Sequence, residues 1–323
     1  MDDRAANKQE LQVDAAAETI DRITANVARV VHAPRETLRL CVLCLISEGH
    51  LIIEDFPGVG KTMLAKALAR SIDCSFSRLQ FTPDLLPSDV TGVSVFSQRS
   101  NEFEFRPGPL FANLLLVDEI NRASPKTQSA LLECMQENQV TIDGTTHELG
   151  RPFMVIATQN PIEYEGTYPL PEAQLDRFTM RLSIGYPSLA EEARMLDEQT
   201  SDPPLETLEP VSNVAELIAA IEDAKAVYVE ESIGRYIVAL LRQTRADPQL
   251  YLGASPRAGI ALLRVAKALS LAEGRDYLIP DDVKRIAALV LAHRLILAPE
   301  ARSGGLGGAD VIEQALARTP VPV

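Results

Sequence analysis

The stretch EDFPGVGKT, residues 54–62, constrains the fold of this chain more than any other feature. It follows an apolar run at 51–53 and leads into KTMLAKALARSI, in which apolar residues recur at helical spacing. A glycine-containing turn between a strand and a helix directs backbone N–H groups and the positive end of the helix dipole toward an anion. Gly58 and Gly60 allow a close approach of the backbone that side chains would block. The pattern predicts a strand, a phosphate-holding loop and a helix.

The residues of this loop have distinct expected roles toward a nucleotide. Lys61 is placed to reach the β- and γ-phosphates, and the Thr62 hydroxyl is placed to coordinate Mg²⁺. The pattern G-x-x-x-x-G-K-[ST] is complete except that Asp55 stands where the first glycine belongs. A surface turn with an exposed lysine is the alternative interpretation of the loop taken alone. The predicted nucleotide-binding residues are Pro57, Gly58, Val59, Gly60, Lys61, Thr62 and Met63.

Composition narrows the class of protein. The 323 residues carry 31 Lys+Arg against 45 Asp+Glu, a net charge of −14, which argues against a chain that lives on nucleic acid or anionic membrane. No segment approaches the ~18 apolar residues of a membrane span. The polar start MDDRAANKQE lacks a signal-peptide pattern, so we expect a cytoplasmic protein. Cys41 and Cys44 form a C-x-x-C inside an apolar run and are predicted to pack in the core.

Short apolar runs alternate with helical patterns in the first part of the chain. Such alternation predicts a mainly parallel sheet with helices on both faces. Two segments, 93–105 and 139–149, alternate apolar and polar residues around a polar turn and predict hairpins inserted into that order. The predicted strands lie at 51–54, 77–81, 114–117, 153–158 and 179–184.

From about residue 211 the pattern is helical, and no strand is predicted to alternate with the helices. Proline and acidic residues before this point are typical of a linker. The predicted division is N-terminal helices and an α/β core over 1–186, a linker over 187–210, a helical domain over 211–300 and a tail over 301–323. The run VIEQALAR within the tail is predicted to form one short helix.

Polar residues end two of the predicted strands. Asp118 and Glu119 follow LLLV, and Asn160 follows VIATQ. Because carboxyl ends of parallel strands share the edge where α/β folds bind ligands, Asp118 is suited to hold Mg²⁺ and Glu119 to polarise an attacking water. Asn160 is suited to hydrogen-bond the γ-phosphate or that water. Taken singly, two solvated acids and a turn-forming asparagine are the alternatives.

Two arginines are further candidates. Arg177 lies in LPEAQLDRFTM just before the last predicted strand, and Arg257 lies in GASPRAG at the start of a helix. A guanidinium fork pairs two phosphate oxygens at once. Arg177 is therefore a candidate donor to a transferring phosphoryl group, and Arg257 a candidate to close over the nucleotide. An ion pair with Asp176 or simple solvation is the alternative.

The motifs occur in the order GKT, VDEINRA, hairpin, ATQNP, LPEAQLDRF and GASPRA. This order resembles the AAA+ ATPases, and DEINRA, PEAQLDRF and GASPRA resemble the MoxR family within them, over about residues 10–323. The resemblance implies an α/β fold, an AAA+ P-loop NTPase core with a mainly parallel five-stranded sheet followed by an all-α lid domain. It implies ATP and Mg²⁺ as ligands, with Thr62 and Asp118 as the metal-binding residues.

The resemblance also assigns roles to single residues. Asn160 matches sensor 1, Arg177 the arginine finger given to a neighbouring subunit, and Arg257 sensor 2. It implies that copies of the chain form a homo-oligomeric ring, expected to be a hexamer. It also implies a chaperone-like factor that remodels or matures a client protein, often beside a partner with a von Willebrand factor A domain. The two hairpins match elements that face the central pore in relatives. His32–Ala33 departs from the family's usual Gly–Gln in the segment that contacts the adenine.

Two other functions stay open on the residues alone. A nucleic-acid-translocating motor would carry basic hairpins with stacking aromatics, and the first hairpin has Arg99, Phe103 and Phe105 but also Glu102 and Glu104. We therefore expect no nucleic acid partner. A non-hydrolysing nucleotide-binding scaffold is disfavoured because every hydrolytic position is filled.

Overall fold

The computed structural model describes residues 12–160, 166–187, 189, 191–192 and 205–322. Two helices, α1 (Val13–Val27) and α2 (Arg35–Ile46), precede the sheet and pack on each other. Helix α2 buries Cys41 and Cys44 as predicted. Burial raises the pKa of the Cys41 thiol to about 12, so the thiol is protonated and unreactive at neutral pH.

A five-stranded parallel sheet forms the centre of the first unit. Its strand order is β2-β5-β8-β1-β9, and every neighbouring pair is parallel. The five predicted strands all form, with ends that differ by one or two residues. The strands before residue 187 are β1 (Leu51–Glu54), β2 (Phe76–Gln80), β3 (Gly92–Ser97), β4 (Glu102–Pro107), β5 (Leu114–Asp118), β6 (Gln139–Ile142), β7 (Thr145–Glu148), β8 (Met154–Gln159) and β9 (Met180–Leu182).

Both faces of the sheet are covered because successive strand residues point to opposite sides. In β5, Leu114 and Leu116 join the core that contains α1 and α2, whereas Leu115 and Val117 join a second core. All four side chains are fully buried. The helices of this unit that follow α2 are α3 (Lys61–Ile72), α4 (Pro87–Thr91), α5 (Pro125–Glu137) and α6 (Glu172–Leu175).

The two predicted hairpins form antiparallel pairs, β3 with β4 and β6 with β7. Asp143 and Gly144 both have positive φ, 49° and 81°, as a two-residue type I′ turn requires. The ring of Phe105 in β4 stacks on His147 in β7 with centroids 4.2 Å apart. This contact joins the two hairpins to each other.

The second unit is helical, as predicted, with one addition. Strand β10 (Leu250–Leu252) pairs antiparallel with β11 (Ile296–Leu297), and the prediction that no strand lies among the helices was wrong at this point. Strands of two and three residues are too short to show an alternating pattern. The helices are α7 (Val214–Ala226), α8 (Glu231–Ala246), α9 (Pro256–Ala272), α10 (Pro280–Leu291), α11 (Pro299–Ser303) and α12 (Gly308–Arg318).

The end of the chain belongs to the packed structure. Helix α12 contains the predicted VIEQALAR helix, contacts α8 and α10, and buries Val311 and Ile312. The predicted linker over 187–210 lies largely outside the described residues, so the domain limits stay a prediction. Among the residues that the structure describes, no helix is both long and apolar enough to cross a membrane.

Candidate nucleotide site

The loop between β1 and α3 has the backbone that its glycines predict. Gly58 and Gly60 have φ of 87° and 91°, in the left-handed region that disfavours other residues. A Cβ added at either position would meet no atom within 4 Å, so the loop borders open space and conformation alone requires glycine. Gly60 is the N-cap of α3, whose first N–H groups have no partner within the helix. These features fit an anion site.

The side chains of the loop differ in exposure. The Lys61 Nζ donates to the carbonyl oxygen of Asp55 at 2.6 Å, so the ammonium group lies across the loop. Thr62 is half-buried in the first turn of α3, Met63 beside it is exposed, and Val59 is buried.

The Asp55 carboxylate is held by the segment that follows β9. Its Oδ2 accepts hydrogen bonds from Ser183 Oγ at 3.1 Å, from the N–H of Gly185 at 3.0 Å and from the N–H of Ile184. The side chain is buried. The neighbouring Phe56 ring stacks on Tyr186, with centroids 5.6 Å apart. The residue that departs from the motif thus ties the loop to the segment after β9, a role that the sequence did not indicate.

Asp118 ends β5 as a buried carboxylate with two partners. Its Oδ2 accepts from Arg78 Nε at 2.7 Å, and its Oδ1 accepts from Thr158 Oγ1 at 3.2 Å. The backbone N–H of Glu119 donates to the same Thr158 hydroxyl oxygen at 3.0 Å. Thr158 therefore fixes both acids at the strand end. The Asp118 carboxylate and the Thr62 hydroxyl are hard oxygen donors of the kind that Mg²⁺ takes, so these residues fit the predicted metal.

The Glu119 carboxylate is held by two side chains. Its Oε2 accepts from Gln80 Nε2 at 2.9 Å and from Arg122 Nη1 at 3.0 Å. Gln80 lies directly opposite Asp118 in the register of β2 and β5. Sequence reasoning missed Arg78, Gln80 and Thr158, because strand pairing brings them to the acids and no local motif marks them.

Asn160 follows β8, which lies between β5 and β1 in the sheet, and it is buried. The loop, Asp118, Glu119 and Asn160 therefore follow the carboxyl ends of three adjacent parallel strands. The structure brings these predicted site residues to one edge of the sheet.

Arg177 and Arg257 lie at the other edge. Both line a cavity of about 720 Å³ that His50 and Phe153 also line, the residues immediately before β1 and β8. Arg177 itself precedes β9. Strands of four to six residues separate the edges by roughly 13–20 Å. The expectation that Arg257 closes over the nucleotide site of its own chain is therefore not supported.

The cavity is lined by arginines and also by the carboxylates of Glu48, Glu137, Glu148 and Asp176. Among the described residues, Arg177, Arg257 and Arg264 have no carboxylate within ion-pair distance. Arg257 and Arg264 are exposed and lie seven residues apart on α9, hence on the same face of that helix. Free guanidinium groups at this edge fit an anionic partner. The arginines that line the cavity are Arg151, Arg177, Arg257, Arg264 and Arg294.

Comparison with known proteins gives the class. Residues 50–180 match the family described as ATPase family associated with various cellular activities (AAA), and residues 242–315 match the AAA lid domain. A solved structure from Cytophaga hutchinsonii superimposes with a TM-score of 0.90 at 38% identity, covering 96% of this chain and 97% of that one. The fold and the site thus define an AAA ATPase with a helical lid.

Relatives narrow the class further. The chain is 40% identical over 317 residues to chaperone MoxR1 of Mycobacterium tuberculosis, covering 95% of this chain and 84% of that protein. It is 50% identical over 298 residues to the uncharacterized protein YeaC of Bacillus subtilis, covering 92% of this chain and 93% of that protein. It is 31% identical to protein MoxR of Methylorubrum extorquens, covering 88% of this chain and 89% of that protein. The chain belongs to the MoxR family of AAA+ ATPases.

Proposed function

We propose that this protein hydrolyses ATP in a ring of identical copies, with each site completed by arginines from the neighbouring copy. The observation that supports this is the separation of the loop and Glu119 from Arg177 and Arg257 at opposite edges of one sheet. Groups that serve one reaction but lie at opposite edges meet when a second copy docks head to tail, and such contacts form a ring when the rotation between copies closes.

In this mechanism the loop amides and Lys61 hold the triphosphate. Mg²⁺ bound by Thr62 and Asp118 would neutralise phosphate charge. Glu119 turns away from Gln80 and Arg122 to orient the attacking water, and Asn160 hydrogen-bonds that water or the γ-phosphate. Arg177 of the neighbouring copy then stabilises the charge that develops in the transition state. In this proposal Arg257 also acts on the neighbour's nucleotide.

We further propose that hydrolysis drives remodelling of a client protein, as the name of the chaperone relative implies. Near the tip of the first hairpin, Phe103 is 73% exposed and Phe96 is 47% exposed. Their rings contact each other edge to face, with centroids 5.4 Å apart. Glu102 and Glu104 flank Phe103 on the same strand. Exposed aromatics beside carboxylates favour a polypeptide over a phosphate backbone, which acids repel. A partner with a von Willebrand factor A domain stays an expectation from the resemblance.

The test is Mg²⁺-dependent ATP turnover measured over a range of protein concentrations. We expect turnover per chain to rise as copies assemble, and Glu119→Gln to bind ATP without hydrolysing it, while Lys61→Ala loses binding. Absence of turnover at every concentration would overturn the proposal in favour of the scaffold. Turnover that single-stranded DNA or RNA stimulates would favour the nucleic-acid motor.

A further inference from the structure

Asp176, the residue before Arg177, bridges the two units of the chain. Its carboxylate oxygens accept from Ser255 Oγ at 3.1 and 3.4 Å. Ser255 is also the N-cap of α9, where its Oγ accepts from the N–H of Ala258 at 3.1 Å. Arg257 is the second residue of that helix. The Asp176 carboxylate therefore joins the start of α9, which carries Arg257, to the segment that contains Arg177.

Arg294 holds the same segment from a 3₁₀ turn, Ala292–Arg294, of the helical unit. Its Nη2 donates to the carbonyl oxygens of Asp176 at 3.3 Å and of Phe178 at 2.7 Å, the carbonyls on either side of Arg177. Its Nε lies 3.2 Å from Asp176 Oδ1. One buried side chain thus fixes the backbone before and after Arg177.

This network is constrained because Arg294 is buried and pairs with the Asp176 carboxylate, which is 21% exposed. The Arg294 side chain is only 3% exposed. Burial lowers the pKa of Arg294 to about 10, and the nearby Asp176 opposes that effect, so the guanidinium stays charged at neutral pH. The ion pair keeps Arg294 beside the Asp176 carboxylate, and the hydrogen bonds from its Nη2 to two carbonyl oxygens set its direction. The segment that carries Arg177 therefore has little freedom to turn relative to α9.

We propose that Asp176 and Arg294 are positioning residues that hold Arg177 and Arg257 in one fixed relative geometry, so that the pair enters the neighbouring copy's site as a unit. The proposal rests on the shared site proposed above. It assigns a task to residues that touch no nucleotide. It also makes any movement of the helical unit move Arg177, because Ser255 and Arg294 both belong to that unit.

The test distinguishes a defect in the surface that presents Arg177 and Arg257, here called the arginine face, from a defect in the nucleotide site of the same copy. In Asp176→Asn, we expect kcat for ATP to fall about 10- to 100-fold, because small misplacement of a transition-state donor is costly, with KM little changed. When Asp176→Asn is mixed with Glu119→Gln, whose arginines are intact, activity should return. Mixing Asp176→Asn with Arg177→Ala should restore no ATP turnover, since both variants are defective in the arginine face.

Arg177→Ala mixed with Glu119→Gln serves as the benchmark. If the benchmark restores activity but Asp176→Asn with Glu119→Gln does not, the positioning role is overturned while the shared site stands. If the benchmark itself fails, the shared site falls and this proposal with it. Unchanged kcat in Asp176→Asn alone also overturns the positioning role.

Two further variants guard against a general loss of stability. Arg294→Lys keeps a positive charge beside Asp176 but shortens the side chain and removes Nη2, the atom that donates to both carbonyls. We expect the same recovery with Glu119→Gln. Asp282→Asn is the matched control, because Asp282 is a buried carboxylate paired with Arg275 at 2.5 and 2.9 Å in the same unit. It should lower the thermal unfolding midpoint and leave kcat unchanged, and an equal fall in kcat there would contradict the proposal.

Discussion

The carboxylate of Asp55 accepts the backbone N–H of Gly185 at 3.0 Å, which joins the start of the phosphate loop to the chain that leaves the last strand of the sheet. The same oxygen serves Ile184 and Ser183. The one residue that departs from the loop motif therefore has a structural role of its own. Asp55 therefore ties the start of the phosphate loop to residues 183–185, directly after β9.

Asp55→Gly restores the motif but removes the acceptor of three donors. We expect a loss of about 2–4 kcal/mol of stability, because backbone N–H groups that lose a charged partner are left unsatisfied, and no gain in ATP affinity. Thermal unfolding and titration with a fluorescent ATP analogue measure the two effects. Asp55→Asn keeps one acceptor oxygen and should lose less, whereas a glycine variant as stable as the wild type would show that the contact is unimportant.

Gln80 donates to the Glu119 carboxylate at 2.9 Å, a hydrogen bond that Glu119 must leave in the proposed mechanism. A hydrogen bond to a carboxylate is worth about 1.5–3 kcal/mol at most, which sets an upper limit of roughly 10- to 150-fold in kcat. Because Arg122 still holds the Glu119 carboxylate, Gln80→Ala should raise kcat for ATP by only a few-fold without changing KM. Steady-state kinetics at saturating Mg²⁺ measure this. Gln98→Ala, in the turn of the first hairpin, is the control. A fall in kcat would instead mean that Gln80 helps to place Glu119 for the reaction.

Buried His50 predicts a pH dependence of stability. Its Nδ1 accepts from the N–H of Val155 at 3.0 Å, so Nε2 carries the proton and donates to the Met135 carbonyl at 2.9 Å. Burial lowers the pKa of His50 to about 4 from 6.5. Because the unfolded chain binds the proton first, this group lowers stability as pH falls from about 6.5 to 4, by about 3 kcal/mol in total.

His50→Gln, which keeps a donor and an acceptor, should flatten that dependence. Calorimetric unfolding at several pH values between 4 and 7.5 compares the two proteins. We expect the midpoint of the variant to lie below that of the wild type at pH 7.5 and to fall less steeply toward pH 4. Parallel curves would contradict the assignment of this pH dependence to His50.

The placement of Arg257 predicts a separation of binding from turnover. Because Arg257 lies at the edge opposite the loop, Arg257→Ala should keep wild-type ATP affinity in dilute, unassembled protein, while assembled protein loses turnover. Equilibrium titration with ATP at low protein concentration measures the affinity, and steady-state kinetics at high protein concentration measures the turnover. A tenfold loss of affinity in the unassembled chain would mean that Arg257 reaches its own nucleotide.

The sequence predicted the five strands of the sheet and the gathering of Asp118, Glu119 and Asn160 at its carboxyl edge because local signals mark them. Apolar runs that end in Asp118 or Asn160 mark both a strand and its functional end. The side of the molecule that Arg257 serves was not predictable, since it depends on how α9 docks through Ser255 and Asp176. Gln80 and Arg78 were missed for a related reason: strand register, rather than a motif, brings them to the acids.

The most direct test of the shared site is the mixture of Arg177→Ala with Glu119→Gln, each inactive alone. In a randomly mixed ring, about one quarter of the interfaces join an intact Glu119 site to an intact Arg177. We predict that ATP turnover appears on mixing, peaks near equal amounts and approaches a quarter of the wild-type rate. Turnover that stays at the level of the separate variants at every ratio, in mixtures shown to co-assemble, would contradict the account.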